Sequence, residues 1–131
     1  MKALAGTVDG VVTIDLETEE VLDFDPDARL TPASAEVTLP RLLAAAAVGS
    51  TVVAVVDARP PLAVSHDAGI TWTEAGGGLP KGRAVAVAED DPDLVLYGAR
   101  NRLYVSRDGG RFWSALAAEL PEIEAVEISA V

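Results

Sequence analysis

The side chains best suited to chemistry sit in two octapeptides, Ser65-His66-Asp67-Ala68-Gly69-Ile70-Thr71-Trp72 and Ser106-Arg107-Asp108-Gly109-Gly110-Arg111-Phe112-Trp113. Both read S-x-D-x-G-x-x-W. An aspartate two residues after a hydroxyl can serve as an acid or base, or it can accept backbone N–H groups inside a tight turn. The neighbours favour the turn. Gly69 and Gly110 supply a positive φ without steric cost, and Ser65 and Ser106 add a local hydrogen bond. Trp72 and Trp113 would begin the next strand and pack between layers. Every member has a structural task, so a catalytic role for Asp67 or Asp108 is disfavoured. His66 is the single histidine of the chain. With no second histidine or nucleophile nearby it is a poor catalytic candidate.

A second set of candidates is cationic. Arg59, Lys81, Arg83, Arg100 and Arg102 fall near one another in segments that read as loops, in a chain of 21 acidic and 10 basic residues with net charge -11. Arginine forks suit carboxylate, phosphate or sulfate groups. One reading is therefore a site for an anionic ligand or acidic peptide, with Asp57 and Tyr97 as further lining. The preferred reading pairs the cations with Asp57, Asp90, Asp91 and Asp93, and treats Tyr97 as a packed residue. A glycoside hydrolase would need two carboxylates facing one another, and Asp57 and Glu122 are the plausible contributors from these loops.

No metal or other cofactor is expected. Cysteine is absent, which removes thiolate ligands, a cysteine nucleophile and a disulfide scaffold. Asp23-Phe24-Asp25-Pro26-Asp27 opens like a calcium loop. Ala28 and Ser34 then stand where a glycine and a glutamate are required, so a solvated acidic loop is expected instead. A pI near 4.3 argues against nucleic acid as a partner. The apolar runs are too short for a membrane span, and Met1 to Asp9 has no apolar core of a signal peptide. A cytoplasmic protein is expected.

The elements that position these residues follow from a repeat. Ser65 and Ser106 are 41 residues apart, and Leu-Pro recurs at Leu39-Pro40, Leu79-Pro80 and Leu120-Pro121 in the same register. Thr13-Ile14-Asp15-Leu16-Glu17 reads as a worn third copy. It keeps Thr13 and Asp15 but lacks the glycine and the tryptophan, and an expanded loop over 25–38 follows it. A period near 40 with short β-branched runs predicts propeller blades of four strands. With strands named A to D from the channel outward, the first set is B (Ala3 to Thr7), C (Val11 to Leu16) and D (Glu20 to Phe24). The second is A (Leu42 to Val48), B (Val52 to Asp57), C (Leu62 to His66) and D (Thr71 to Glu74). The third is A (Arg83 to Ala88), B (Leu94 to Gly98), C (Leu103 to Arg107) and D (Phe112 to Leu116). A lone A strand, Ile123 to Ser129, ends the chain. The expectation is an all-β protein of strand order BCD-ABCD-ABCD-A, a single half-propeller domain over 1–131.

The paired motifs resemble the Asp-box, or BNR, repeat of sialidase-like propellers. In style they are closest to the photosystem II stability factor type and the Vps10/sortilin type. The resemblance covers Val52 to Leu116 well and the first blade loosely. It implies a structural role for the box residues and carries no activity with it. Sialidase chemistry does not transfer: the Arg-Ile-Pro signature is missing, and only Tyr97 and Tyr104 could supply a tyrosine nucleophile. The expected function is a non-catalytic interaction or scaffold module binding a protein or anionic ligand at the channel mouth. The alternative is a lectin-like glycan binder or a glycoside hydrolase. Three blades fall short of the usual 4–8 of a closed ring. A complete chain is therefore expected to form a homodimer of six blades, closed by exchange of the C-terminal strand.

Overall fold

A computed structural model describes residues 1–32 and 35–130. Residues 33 and 34 of the expanded loop, with Ser34 of the calcium-like pattern, lie outside the described residues. Twelve strands run in chain order: β1 (Lys2–Thr7), β2 (Gly10–Asp15), β3 (Val21–Asp25), β4 (Leu42–Val48), β5 (Thr51–Val56), β6 (Leu62–Ser65), β7 (Thr73–Ala75), β8 (Ala84–Val87), β9 (Val95–Ala99), β10 (Arg102–Ser106), β11 (Ser114–Ala115) and β12 (Ile123–Ser129). They form three four-stranded antiparallel sheets, ordered β12-β1-β2-β3, β4-β5-β6-β7 and β8-β9-β10-β11. These are propeller blades, here numbered 1, 2 and 3. The alanine-rich run Leu42–Val48 is a strand as expected, because it pairs along β5 and needs small side chains on the inside of the blade.

The blades stand in the spatial order 2-3-1. Blade 3 is in the middle and buries both faces, so its strands read as near-continuous apolar runs. Ala84, Ala86, Leu94, Leu96, Leu103 and Val105 pack against Ala3, Ala5, Val12, Ile14, Leu16 and Ile123 of blade 1. The alternate residues Val85, Val87, Val95, Tyr97 and Ala99 pack against Val53, Val55, Leu62 and Val64 of blade 2. Blades 1 and 2 each keep one flank that no neighbouring blade covers. The inner strands β4, β8 and β12 border a cleft of about 520 Å³ lined largely by alanine and valine. The connection from blade 1 to blade 2 reaches across: Leu30 lies against Gly6, and the Ala35 N–H donates to the Ala45 carbonyl on β4 at 3.0 Å.

Within the one chain described, the terminal strand already has a place: β12 pairs with β1, from Lys2 opposite Ser129 to Ala5 opposite Val126. Blade 1 is thus completed within the chain. Contact between blades 1 and 3 then runs through β12, where Ile123 is fully buried. One expectation is corrected, and it concerns the worn copy. The hairpins align Val52 opposite Ser65, Val95 opposite Ser106 and Ala3 opposite Ile14. Ile14 therefore occupies the serine position and Leu16 the aspartate position, one residue away from the Thr13 and Asp15 assignment. Both are buried in the core. Blade 1 has replaced a polar turn with apolar packing.

Small strand-end differences have local causes. Trp72 and Trp113 precede β7 and β11 by one residue, because the turn's hydrogen bonds extend through the positions just before them. Gly98 is required by packing. A Cβ there would lie 2.8 Å from Ile123 Cγ2 and 3.1 Å from Val126 Cγ1. Ile123→Ala is expected to lower the unfolding free energy by about 3 kcal/mol, read from urea titrations. A loss within the range of ordinary surface substitutions, about 0.5 kcal/mol, would show that β12 does not carry the core.

Candidate binding surface at the channel mouth

The B-C and D-A connections gather on one face of the three blades, and the two S-x-D-x-G-x-x-W turns lie on the other. The turns are built alike. The Ser65 hydroxyl donates to Asp67 Oδ1 at 2.7 Å and accepts the Gly69 N–H at 2.8 Å. Ser106 repeats both bonds with Asp108 and Gly110, at 2.8 and 2.9 Å. Asp67 Oδ1 accepts the Thr71 N–H, and Asp108 Oδ1 accepts the N–H groups of Arg111 and Phe112. The indole N–H of Trp72 or Trp113 then donates to the carbonyl of Gly69 or Gly110. The serine hydroxyl, the aspartate Oδ1 and the indole N–H are each engaged inside their own turn. The hydroxyl and N–H of Thr71, with Ser65, pull the Asp67 carboxyl down to about 2. The Phe112 N–H and the Ser106 hydroxyl lower Asp108. Carboxylates committed to N–H donors in this way stabilise a turn. Asp15, outside the motif register, caps its own turn through the N–H groups of Glu17 and Thr18, which lower it as well.

The residue between the serine and the aspartate reaches the next blade. The Arg107 guanidinium donates to the Leu16 carbonyl of blade 1 at 2.6 Å. His66 of blade 2 lies against Gly109 of blade 3. Sequence reasoning missed this link, and the only signal was that both intervening residues are long and polar.

At the mouth the cations come together, and of the expected partners only Asp57 is among those they meet. Lys81 Nζ lies 3.0 Å from Asp57 Oδ1. Arg83 lies 3.5 Å from Glu122 and 3.4 Å from Glu124, and its Nε donates to the Ile123 carbonyl. Arg102 meets Glu119 at 3.2 Å and the Leu116 carbonyl. Asp90, Asp91 and Asp93 belong to the β8–β9 turn on the opposite face and take none of these cations. Lys81 lowers Asp57 through the hydrogen bond and its charge. Arg59 and Arg100 are exposed and have no carboxylate within ion-pair distance among the described residues. Arg100, at φ 56°, lines a cleft of about 200 Å³ with Lys81, Gly82, Arg83, Glu122 and Ile123.

Tyr97 is not part of this surface. It is fully buried, its hydroxyl donates to the Pro80 carbonyl at 2.7 Å, and burial raises it to about 12. Its ring meets Trp113 edge-on at 6.2 Å. Asp23 and Asp25 lie on the exposed strand β3, where Asp25 accepts the Asp27 N–H. Among the described residues no group of three or more histidine and carboxylate side chains is placed to hold a metal ion.

The turns yield a matched pair of expectations. Ala68 adopts φ 59° where Gly109 adopts 76°. Ala68→Gly is expected to stabilise, and Gly109→Ala to destabilise, each by about 1 kcal/mol in chemical denaturation. The Asp67 carboxylate contributes fully above its unfolded range, and its contribution is lost as pH falls towards about 2. Asp67→Ala is therefore expected to flatten the acid limb of the stability–pH curve below roughly pH 4.

No family model and no curated protein matches the chain. A solved structure that resembles it is the crystal structure of the Niastella koreensis GH74 enzyme, with a TM-score of 0.48 and 20% identity. The match covers 90% of this chain and 17% of that chain, so this chain spans under a fifth of that protein's length.

Proposed function

We propose that the chain is a non-catalytic propeller module of the Asp-box type that binds an acidic peptide or other anionic ligand at its mouth. The observation that carries this reading is Arg100, an uncompensated guanidinium beside a cleft whose other charges are already matched. Glycoside hydrolysis is less well supported. It calls for a carboxylic acid kept protonated and a second free carboxylate. Asp57 is held low by Lys81, and Glu122 is engaged by Arg83. A fluorescent oligoglutamate peptide is the direct probe. Arg100→Glu with Arg59→Glu is expected to abolish its binding. Unchanged binding by that variant, or turnover of chromogenic glycosides by the wild type, would overturn the reading.

The module is proposed to complete its ring with a second copy, giving six blades. Trp113 seats blade 3 against blade 2. Trp72 has the same place in the repeat, so it lies on the flank of blade 2 that faces away from blade 3, and it is partly exposed. Two-fold symmetry would set this flank against blade 1 of the partner at two identical junctions. Light scattering is expected to give twice the 13.5 kDa chain mass, and Trp72→Glu to give a folded monomer. A wild-type monomer at micromolar concentration would refute the dimer.

A further inference from the structure

The outer rim between blades 2 and 3 holds a groove of about 580 Å³, which runs along β7 from the Gly109-Gly110 turn to Gly76 and Gly77 and shares no lining residue with the cleft beside Arg100. Its polar lining includes His66, Glu74 and Arg111, and Phe112 forms an apolar wall. The phenyl group has no task in the turn. At the same repeat position in blade 2, Thr71 gives both its N–H and its hydroxyl to Asp67. In blade 3 Phe112 gives Asp108 only its backbone N–H, and its side chain is left 79% exposed. The side chains of His66, Glu74 and Arg111 make no hydrogen bond or ion pair among the described residues. The floor is low, because Gly76, Gly77, Gly109 and Gly110 add no side chains.

We infer that this groove is a saccharide-binding site, independent of the mouth. A sugar ring offers an apolar face and a rim of hydroxyls that both donate and accept. Phe112 supplies the matching flat apolar surface. Arg111 supplies fixed donors, Glu74 acceptors, and the imidazole of His66 one of each. The volume lies within the range of small-ligand sites and suits a disaccharide. One positive and one negative side chain give no preference for a charged ligand. An extended peptide is less well served: strand addition needs a continuous free edge, and β7 offers three residues and β11 two.

The test is titration of the labelled full chain with cellobiose, maltose and chitobiose at millimolar concentration, followed by amide NMR shifts. At least one disaccharide is expected to move the amides of residues 109–112 and 73–77 while leaving those of 100–102 in place. Phe112→Ala is expected to weaken that disaccharide about tenfold, and Arg111→Ala severalfold, both with an unchanged pattern elsewhere. Absence of shifts with all three sugars would overturn the assignment. So would shifts confined to the mouth, or undiminished binding by both variants. A failure of oligoglutamate binding at the mouth would leave the groove untouched, so the two sites are judged separately.

Discussion

The structure depends on one pairing, that of the last strand with the first. β1 cannot stand as the inner edge of a blade, since Ala3 and Ala5 must be covered and their backbone groups paired. β12 supplies both. It closes the ladder of blade 1 and presents Ile123 and Val126 to blade 3. Blade 3 in turn is buried on both sides and keys into blade 2 through Tyr97 and Trp113. A loss at β12 would propagate through both cores, because each blade is held chiefly by its neighbour. The fit is close enough that Gly98 accepts no side chain.

The two faces of the molecule solve different problems. On one, the S-x-D-x-G-x-x-W turns consume their own polar groups and leave a rigid hairpin. On the other, exposed ion pairs neutralise most of the mouth. Such pairs add little stability in water. Their effect is selective, since they remove Lys81, Arg83 and Arg102 as free anion binders and leave Arg59 and Arg100. Departures from the repeat then mark where function can be added. Phe112 replaces Thr71 without harm to its turn, because backbone N–H groups already satisfy Asp108.

Blade architecture was legible in the sequence because it rests on local signals. The octapeptides and Leu-Pro markers revealed the period, and short β-branched runs at that period marked the strands. What stayed illegible is non-local or depends on register. Thr13 and Asp15 matched the motif by residue type, yet the β1–β2 hairpin turns after Thr7 and brings Ile14, not Thr13, to the serine position. The sequence located the mouth cations and one partner, Asp57, but not Glu119, Glu122 and Glu124, which lie in the segment leading into and along β12. The sequence favours Tyr97 as a packed residue over a mouth residue, and its packing against Trp113 and hydrogen bond to Pro80 agree with that. The order 2-3-1 depends on which chain β12 completes, and strand complementarity alone does not specify that.

Completion of blade 1 within one chain is the central claim, and isotope-filtered NMR tests it most directly. Labelled and unlabelled chains are unfolded together, refolded as a mixture, and searched for contacts between Ala5 and Val126, which face each other across β1 and β12. The account predicts this contact inside uniformly labelled chains and no transfer between labelled and unlabelled ones, even where two copies associate. An intermolecular contact between Ala5 and Val126 would contradict it and establish strand exchange in its place.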